Sequence, residues 1–130
     1  MTHFELSDGF TARFPLWLVF WQPRYTEGTR QFSWRGVLWV DVGGASVLPI
    51  YTEELHAERA AIENGAGWVN LDDSPGWVPV RFDGPHLLVR TLAAIQVDVV
   101  TFDPAPYPHG LRTRRPVSVG ELTAALCQLQ

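Results

Sequence analysis

Short apolar runs separated by polar turns make up most of the chain, and this pattern is typical of a protein that mixes strands and helices. The first strong run, PLWLVFWQP, lies between Pro15 and Pro23 and is rich in aromatic and β-favouring residues. Its alternation predicts a strand with two apolar faces. One face carries Leu16, Leu18 and Phe20, and the other carries Trp17, Val19 and Trp21.

A second strand is predicted in SWRGVLWVDVGG, where alternation places Val37 and Trp39 on the side of Trp17 if the two strands are neighbours. The glycine pair at 43–44 then suits a tight hairpin turn into a third strand, SVLPIY. Because proline cannot donate a hydrogen bond to a neighbouring strand, we expect Pro49 at a sheet edge or a bulge.

The stretch YTEELHAERAAIENG changes from strand to helix periodicity at Thr52. The Thr52 hydroxyl can cap the helix, the glutamates that follow suit the positive end of the helix dipole, and Gly65 suits a left-handed C-cap. A narrow apolar stripe is formed by Leu55, Arg59 and Ile62, with Ala61 beside them. We therefore expect this helix to lie on the sheet with a solvated outer side.

The second half of the chain predicts three more strands and two more helices. WVNL and WVPVRF are short strands around the turn DDSPG, and VDVVTF is a buried strand closed by Asp103 and Pro104. Pro85 suits the first position of a helix. Its buried side is predicted to contain Leu87, Leu88, Thr91, Leu92 and Ile95.

The last helix has the clearest start. Ser118 and Glu121 have the spacing of a capping box, and Val117 and Leu122 that of a hydrophobic staple. Positions i, i+3, i+4 and i+7 are apolar, as a helix face requires. They are Leu122, Ala125, Leu126 and Leu129.

The predicted order is therefore β-β-β-α-β-β-α-β-α, an α+β fold with three helices packed on a mixed sheet of five or six strands. A chain of 130 residues is long enough to bury a core and has the usual size of one domain, so residues 1–130 are expected to form a single domain.

The net charge and the lack of a signal-peptide or membrane-span pattern limit the classes of function that we expect. The net charge is -4, with ten Arg and no Lys, whereas nucleic-acid binding needs a concentrated cationic face; we expect no nucleic-acid partner. The first residues, MTHFELSDGFTARF, lack the basic start and apolar core of a signal peptide, and no apolar run reaches the ~20 residues of a membrane span. One cysteine, Cys127, fits a reducing compartment, so a cytoplasmic location without a membrane partner is expected.

Candidate chemistry is sparse. The four histidines are His3, His56, His86 and His109, and none has the spacing of a metal site, so we expect no metal and no cofactor. Asp72 and Asp73 could act as an acid and base pair with a histidine in a small hydrolase, although DDSPG is also an ordinary turn. The basic loop APYPHGLRTRRP could grip an anion through Arg112, Arg114 and Arg115 or be simply solvated.

Tryptophan is the strongest anomaly, with six in the chain. If three helices cover one side of the sheet, the side bearing Trp17, Trp21 and Trp39 is left for a protein partner or a second copy. The alternative is that this side is the core, and that loops or the N-terminal segment cover the Leu and Phe side. The predicted binding residues are Trp17, Trp21, Arg35, Trp39, Arg112, Arg114 and Arg115.

The segment VLPIYTEELHAERA resembles the strand-to-helix junction of the SseB-type N-terminal domain, the enhanced serine sensitivity family. The match consists of Leu48, Pro49, Tyr51, Thr52 and Glu53, with Tyr in place of the usual Phe. VDVVTFDPAP is similar to the strand of these domains that ends in Asn-Pro-Gly, although Asp103 and Ala105 replace the Asn and the Gly, which weakens the expectation of a shared ligand-binding turn. The resemblance spans residues 16–104.

The resemblance implies a small bacterial α+β domain without established catalytic residues that works as an accessory or interaction module. Our leading hypothesis is therefore a cytoplasmic, non-enzymatic binding module that recognises a protein partner or forms a homodimer. An immunity-like or chaperone-like partner of one specific protein is an alternative, for which an acidic surface with exposed aromatics would suit a cationic client. The hydrolase built on Asp72 and Asp73 is the alternative from another class.

Overall fold

The computed structural model describes residues 3–22, 37–42, 45–63, 76–104 and 116–129. Their strands are β1 (His3–Glu5), β2 (Thr11–Arg13), β3 (Leu16–Gln22), β4 (Val40–Val42), β5 (Ala45–Ile50), β6 (Gly76–Phe82), β7 (Val99–Phe102) and β8 (Val117–Ser118). Their helices are α1 (Glu54–Glu63), α2 (Pro85–Ile95) and α3 (Val119–Cys127). The α+β class is confirmed. The order of elements agrees with the predicted one, apart from the additional short strands β1, β2 and β8 and the predicted strand WVNL, which lies outside the described residues.

Within the described residues, the strands form three pairing groups. β1 and β2 form a hairpin, β3 pairs with β6 antiparallel, and β4-β5-β7-β8 is a four-stranded sheet in which β5 and β7 run parallel. Two isolated antiparallel bridges, Trp17 to Tyr51 and Phe20 to Val37, connect β3 to its neighbours. The strand β3 is therefore linked to the other β elements on the side away from β6.

The predicted hairpin between the second and third strands is confirmed, since β4 pairs antiparallel with β5 and Val42 faces Ala45 across the glycine pair at 43–44. Pro49, however, lies in an inner strand, so the expected edge position is wrong. Its missing N–H costs little because successive N–H groups point to opposite sides of a strand. The N–H of Tyr51 points to Trp17, and the nitrogen of Pro49, two residues earlier, points to the same side of β5. Pro49 lies beyond the stretch of β5 that pairs with β4.

All three helices are where the pattern predicts them, but the buried sides of α1 and α2 differ from the prediction. In α2, Leu88, Thr91 and Leu92 are buried as expected, whereas Leu87 is 54% exposed. Leu87 lies about 100° around the helix from Leu88, at the margin of the buried side. In α3, the Ser118 hydroxyl accepts a hydrogen bond from the Glu121 N–H at 3.2 Å, which confirms the predicted cap.

Among the described residues the core has two parts, one on each face of β3. The larger part contains Leu16, Leu18 and Phe20 and packs against leucines of α2 and α3. The N-terminal hairpin completes this side, where the ring of Phe10 lies 4.8 Å from that of Phe102. The smaller part contains Trp17 and Val19 and packs against α1. Helices therefore cover both faces, and the expectation that all three lie on one side is wrong.

Several expected elements lie outside the described residues. These are the polar loop 23–32, the beginning of the second strand at 34–36, the strand WVNL with the turn DDSPG, the C-cap Gly65, and the basic loop 105–115.

Candidate functional site

The tryptophan face of β3, which is predicted to bind a partner, is covered by helix α1 at Trp17. Trp17 is only 8% exposed, and its cluster contains Tyr51 and Leu38 together with three alanines of α1. These are Ala57, Ala60 and Ala61, which follow the i, i+3, i+4 spacing of one helix side. The indole of Trp17 is therefore part of the interior of this chain, and the expectation of an uncovered face is wrong at this residue.

The second strand also faces the opposite way from the prediction. Val37 bridges to Phe20 and belongs to the larger core, whereas Leu38 donates its N–H to the Val19 carbonyl and belongs to the cluster of Trp17. The alternation was assigned correctly, but the pairing register with β3 was not available from the sequence. A shift of one residue exchanges the faces of a whole strand.

Trp39 is the other predicted tryptophan whose side chain the structure describes, and it is 41% exposed. It lines an open groove of about 530 Å³ together with Ser46 and the turn that joins α2 to β7. Gln96 in that turn has a left-handed backbone, with φ at 61°. Trp39 thus remains an accessible aromatic, separate from the buried cluster of Trp17.

The side chains of the other predicted site residues lie outside the described part of the chain. Trp21 lies in β3 opposite Trp77 of β6, and its side chain is outside the described part of the chain. Residues 35, 72, 73, 112, 114 and 115 also lie outside it. The arginine predictions and the Asp72 and Asp73 hypothesis therefore stay predictions.

Helix α1 exposes the apolar side chains that the sequence led us to expect against the sheet. Leu55 is 63% exposed and Ile62 is 46% exposed, while the alanines of the same helix are buried. Residues seven apart lie on the same side of a helix, so Leu55 and Ile62 form one outward seam. We call this seam, with Glu58 and Arg59 between its two aliphatic side chains, the outer face of α1. The prediction that the Leu55 stripe contacts the sheet is wrong.

The reversal has a simple packing cause. Trp17 and Tyr51 supply the bulk on the sheet side of this layer, so only a small side chain fits between them and the helix backbone. Alanine meets that requirement and leucine does not. The clue present in the sequence was the alanine spacing at 57, 60 and 61, opposite Leu55 and Ile62.

The start of α1 is fixed by a side chain from β7's end. Asp103 accepts hydrogen bonds from the Thr52 N–H at 2.9 Å and from the Thr52 hydroxyl at 2.7 Å. The predicted capping hydroxyl therefore donates to Asp103. Asp103 has φ at 46°, a left-handed conformation that Asp and Asn tolerate better than most residues. The parallel strands β5 and β7 are thus tied together where α1 begins.

His56 lies next to this junction and raises the question of catalysis. Its Nδ1 is 3.8 Å from Asp103 Oδ1, and its Nε2 is 3.5 Å from Glu53 Oε2. An Asp, a His and a Thr are close together, but the Thr52 hydroxyl donates to the carboxylate. Nucleophilic catalysis needs the hydroxyl within hydrogen-bond reach of its base. In this arrangement the hydroxyl donates to Asp103 rather than to His56, and the contacts orient the start of α1.

The described residues contain no group of three or more His, Cys, Asp and Glu side chains that could hold a metal ion. None of their helices is both long enough and apolar enough to cross a bilayer. Comparison of the chain with models of known protein families and with curated proteins finds no match.

Proposed function

We propose that this chain is a non-enzymatic protein-interaction module that binds a partner protein through the outer face of α1. The single observation that carries the proposal is the exposure of Leu55 and Ile62 on a helix whose alanines face the sheet. Exposed aliphatic side chains that are aligned on one face of a rigid element favour a docking surface over an ordinary solvated helix. Isolated exposed leucines such as Leu87 are common and carry no such meaning.

The junction around Asp103 supports the same role. A docking helix binds more tightly when it is held in place before the partner arrives, because less conformational freedom is lost on binding. The two hydrogen bonds from Thr52 to Asp103 and the buried alanines fix α1 at its beginning and along its length. Leu55 and Ile62 are therefore held in one orientation on the surface.

The resemblance to SseB-type domains supports an accessory role in the cytoplasm of a bacterium. It includes Tyr51, Thr52 and Glu53, which lead directly into α1. Trp39, with its groove, is a separate accessible residue that a larger partner could also contact.

Site-specific photo-crosslinking tests the proposal. A photoreactive amino acid at position 55, on the outer face of α1, is expected to give a discrete adduct in the native host, identified by mass spectrometry. The matched control carries the same amino acid at position 87, which is similarly exposed but on α2. The adduct at position 55 should disappear when Ile62→Ser is added. Equal adduct patterns at 55 and 87, or none at either position, would refute docking through α1.

A further inference from the structure

The spacing of the apolar residues on the outer face of α1 suits a partner helix. Leu55 and Ile62 are two helical turns apart, which corresponds to about 10 Å along the axis. This is the repeat distance between equivalent apolar positions of a partner helix lying alongside. A short amphipathic helix can therefore place two of its own apolar side chains against this seam.

The charged side chains around the seam indicate which charge a partner surface should carry. Glu53 and Glu54 are exposed at the start of the helix, and Glu58 lies between the two aliphatic residues. Arg59 is the basic residue within this face, so the acidic groups are in excess. The whole chain has the same sign, with a net charge of -4. Charge complementarity across an interface favours a cationic partner and disfavours an acidic one.

We infer that the occupant of this face is a cationic amphipathic helical segment of a partner protein, an inference that rests on the proposed function. A second copy of this chain fits less well, because it would place Glu54 and Glu58 against the same acidic groups. The exposed apolar surface is also small. A stable complex usually buries roughly 800 Å² on each partner, which two aliphatic side chains cannot supply. A single helical segment that binds reversibly matches a surface of this size.

A defined pair of peptides tests the inference. The probe is a synthetic helix of about 14 residues, two heptads long, with leucines on one side and lysines on the other. Its matched control has the same leucine pattern with glutamates in place of the lysines. The protein can be immobilised through Cys127, which is its one cysteine and is exposed at the end of α3. Since α3 packs on the opposite face of β3 from α1, the outer face of α1 stays open to the probe.

The lysine peptide is expected to bind, and more weakly as salt increases, while the glutamate peptide should not bind measurably. The double variant Leu55→Ser, Ile62→Ser should weaken binding of the lysine peptide by about tenfold or more, since it removes the apolar seam. The double variant Glu54→Gln, Glu58→Gln should weaken it as well and should flatten the salt dependence. Leu87→Ser should bind as the unmodified protein does.

Each other outcome overturns a different statement. If both peptides bind equally and Leu55→Ser, Ile62→Ser abolishes both, the docking face stands and the cationic partner is wrong. If the lysine peptide binds all variants alike, it recognises the overall negative charge and the inference fails. If sedimentation at micromolar concentration shows a dimer that Leu55→Ser, Ile62→Ser dissociates, the occupant is a second copy. Failure of the crosslink at position 55 would instead refute the proposed function.

Discussion

The two faces of β3 are covered in opposite ways. On the side of Leu16, Leu18 and Phe20, the helices contribute large side chains such as Leu92 and Leu122, which form one buried cluster with the strand residues. On the other side, the sheet contributes the bulk through Trp17 and Tyr51, and α1 contributes alanines. One face therefore uses the leucines of its helices inside the protein, whereas the other leaves Leu55 and Ile62 outside.

This difference shows that an apolar residue on a helix does not by itself identify the buried side. The interior must be filled to a nearly constant density, so what a helix can bury depends on what the sheet already places there. Where the sheet carries indole and phenol rings, alanine fills the remaining space. The aliphatic residues of that helix then become available for another molecule.

The largest expected effect comes from removing the bulk on the α1 side. Trp17→Ala should destabilise the protein by about 3–5 kcal/mol, because it removes a buried ring and leaves a cavity that alanines cannot fill. The measurement is the free energy of unfolding from urea denaturation. Trp39→Ala should change this free energy much less, since its ring is 41% exposed. Equal effects of the two substitutions would contradict the different burial of the two rings.

Adding bulk to α1 should also be harmful. Ala57 is fully buried in the cluster of Trp17, so Ala57→Leu should cost about 1–3 kcal/mol through overpacking. Ala124→Leu provides a control in α3, where the side chain is exposed and the cost should be close to zero. Thermal unfolding of the two variants separates them. A stable Ala57→Leu variant would mean that the helix can shift away from Trp17 easily.

A smaller effect is expected at the junction that holds α1. Thr52→Val removes the hydroxyl that donates to Asp103 and should cost about 1 kcal/mol, because the bond is to a charged group but is only partly buried. Thr11→Val, at an exposed position of β2, is the control and should be nearly neutral. Hydrogen exchange of the α1 amides should increase in Thr52→Val alone. Unchanged exchange would show that the hydroxyl bond does not hold the helix, since Thr52→Val keeps the bond from the N–H to Asp103.

The smallest effect on stability is expected on the outer face of α1. Leu55→Ser and Ile62→Ser should each change the free energy of unfolding by less than about 0.5 kcal/mol, since exposed side chains contribute little. Urea denaturation of each variant against Leu88→Ser, a fully buried leucine of α2, measures the contrast. A loss at Leu55 comparable to that at Leu88 would show that the seam is needed for folding.

The predictable parts of the fold are those with strong local determinants. Pro85 and the capping spacing of Ser118 and Glu121 locate the last two helices, and the glycine pair at 43–44 locates the hairpin between β4 and β5. The three-residue strands β1 and β2 are too short to show a period, so they were not predicted. Exposure of Leu87 was missed because helix periodicity alone does not define how wide the buried side is.

The candidate site was predicted less well, for reasons that involve distant parts of the chain. The sequence pattern predicts the junction at Thr52 and places Leu55 and Ile62 on one stripe, but it does not indicate that this stripe faces outward. The bond between Thr52 and Asp103 joins residues 51 positions apart, and no local pattern indicates such a contact. The inversion of Val37 and Leu38 likewise followed from a strand register that only the paired structure defines.

The sequence by itself determined which segments of this protein become strands and helices, because caps, turns and apolar periodicity act within a few residues along the chain. Only the tertiary structure decided which side of α1 is buried. That choice depends on the space left beside Trp17 and Tyr51, and packing volume is a property of several segments brought together. The face proposed for binding is a consequence of that choice.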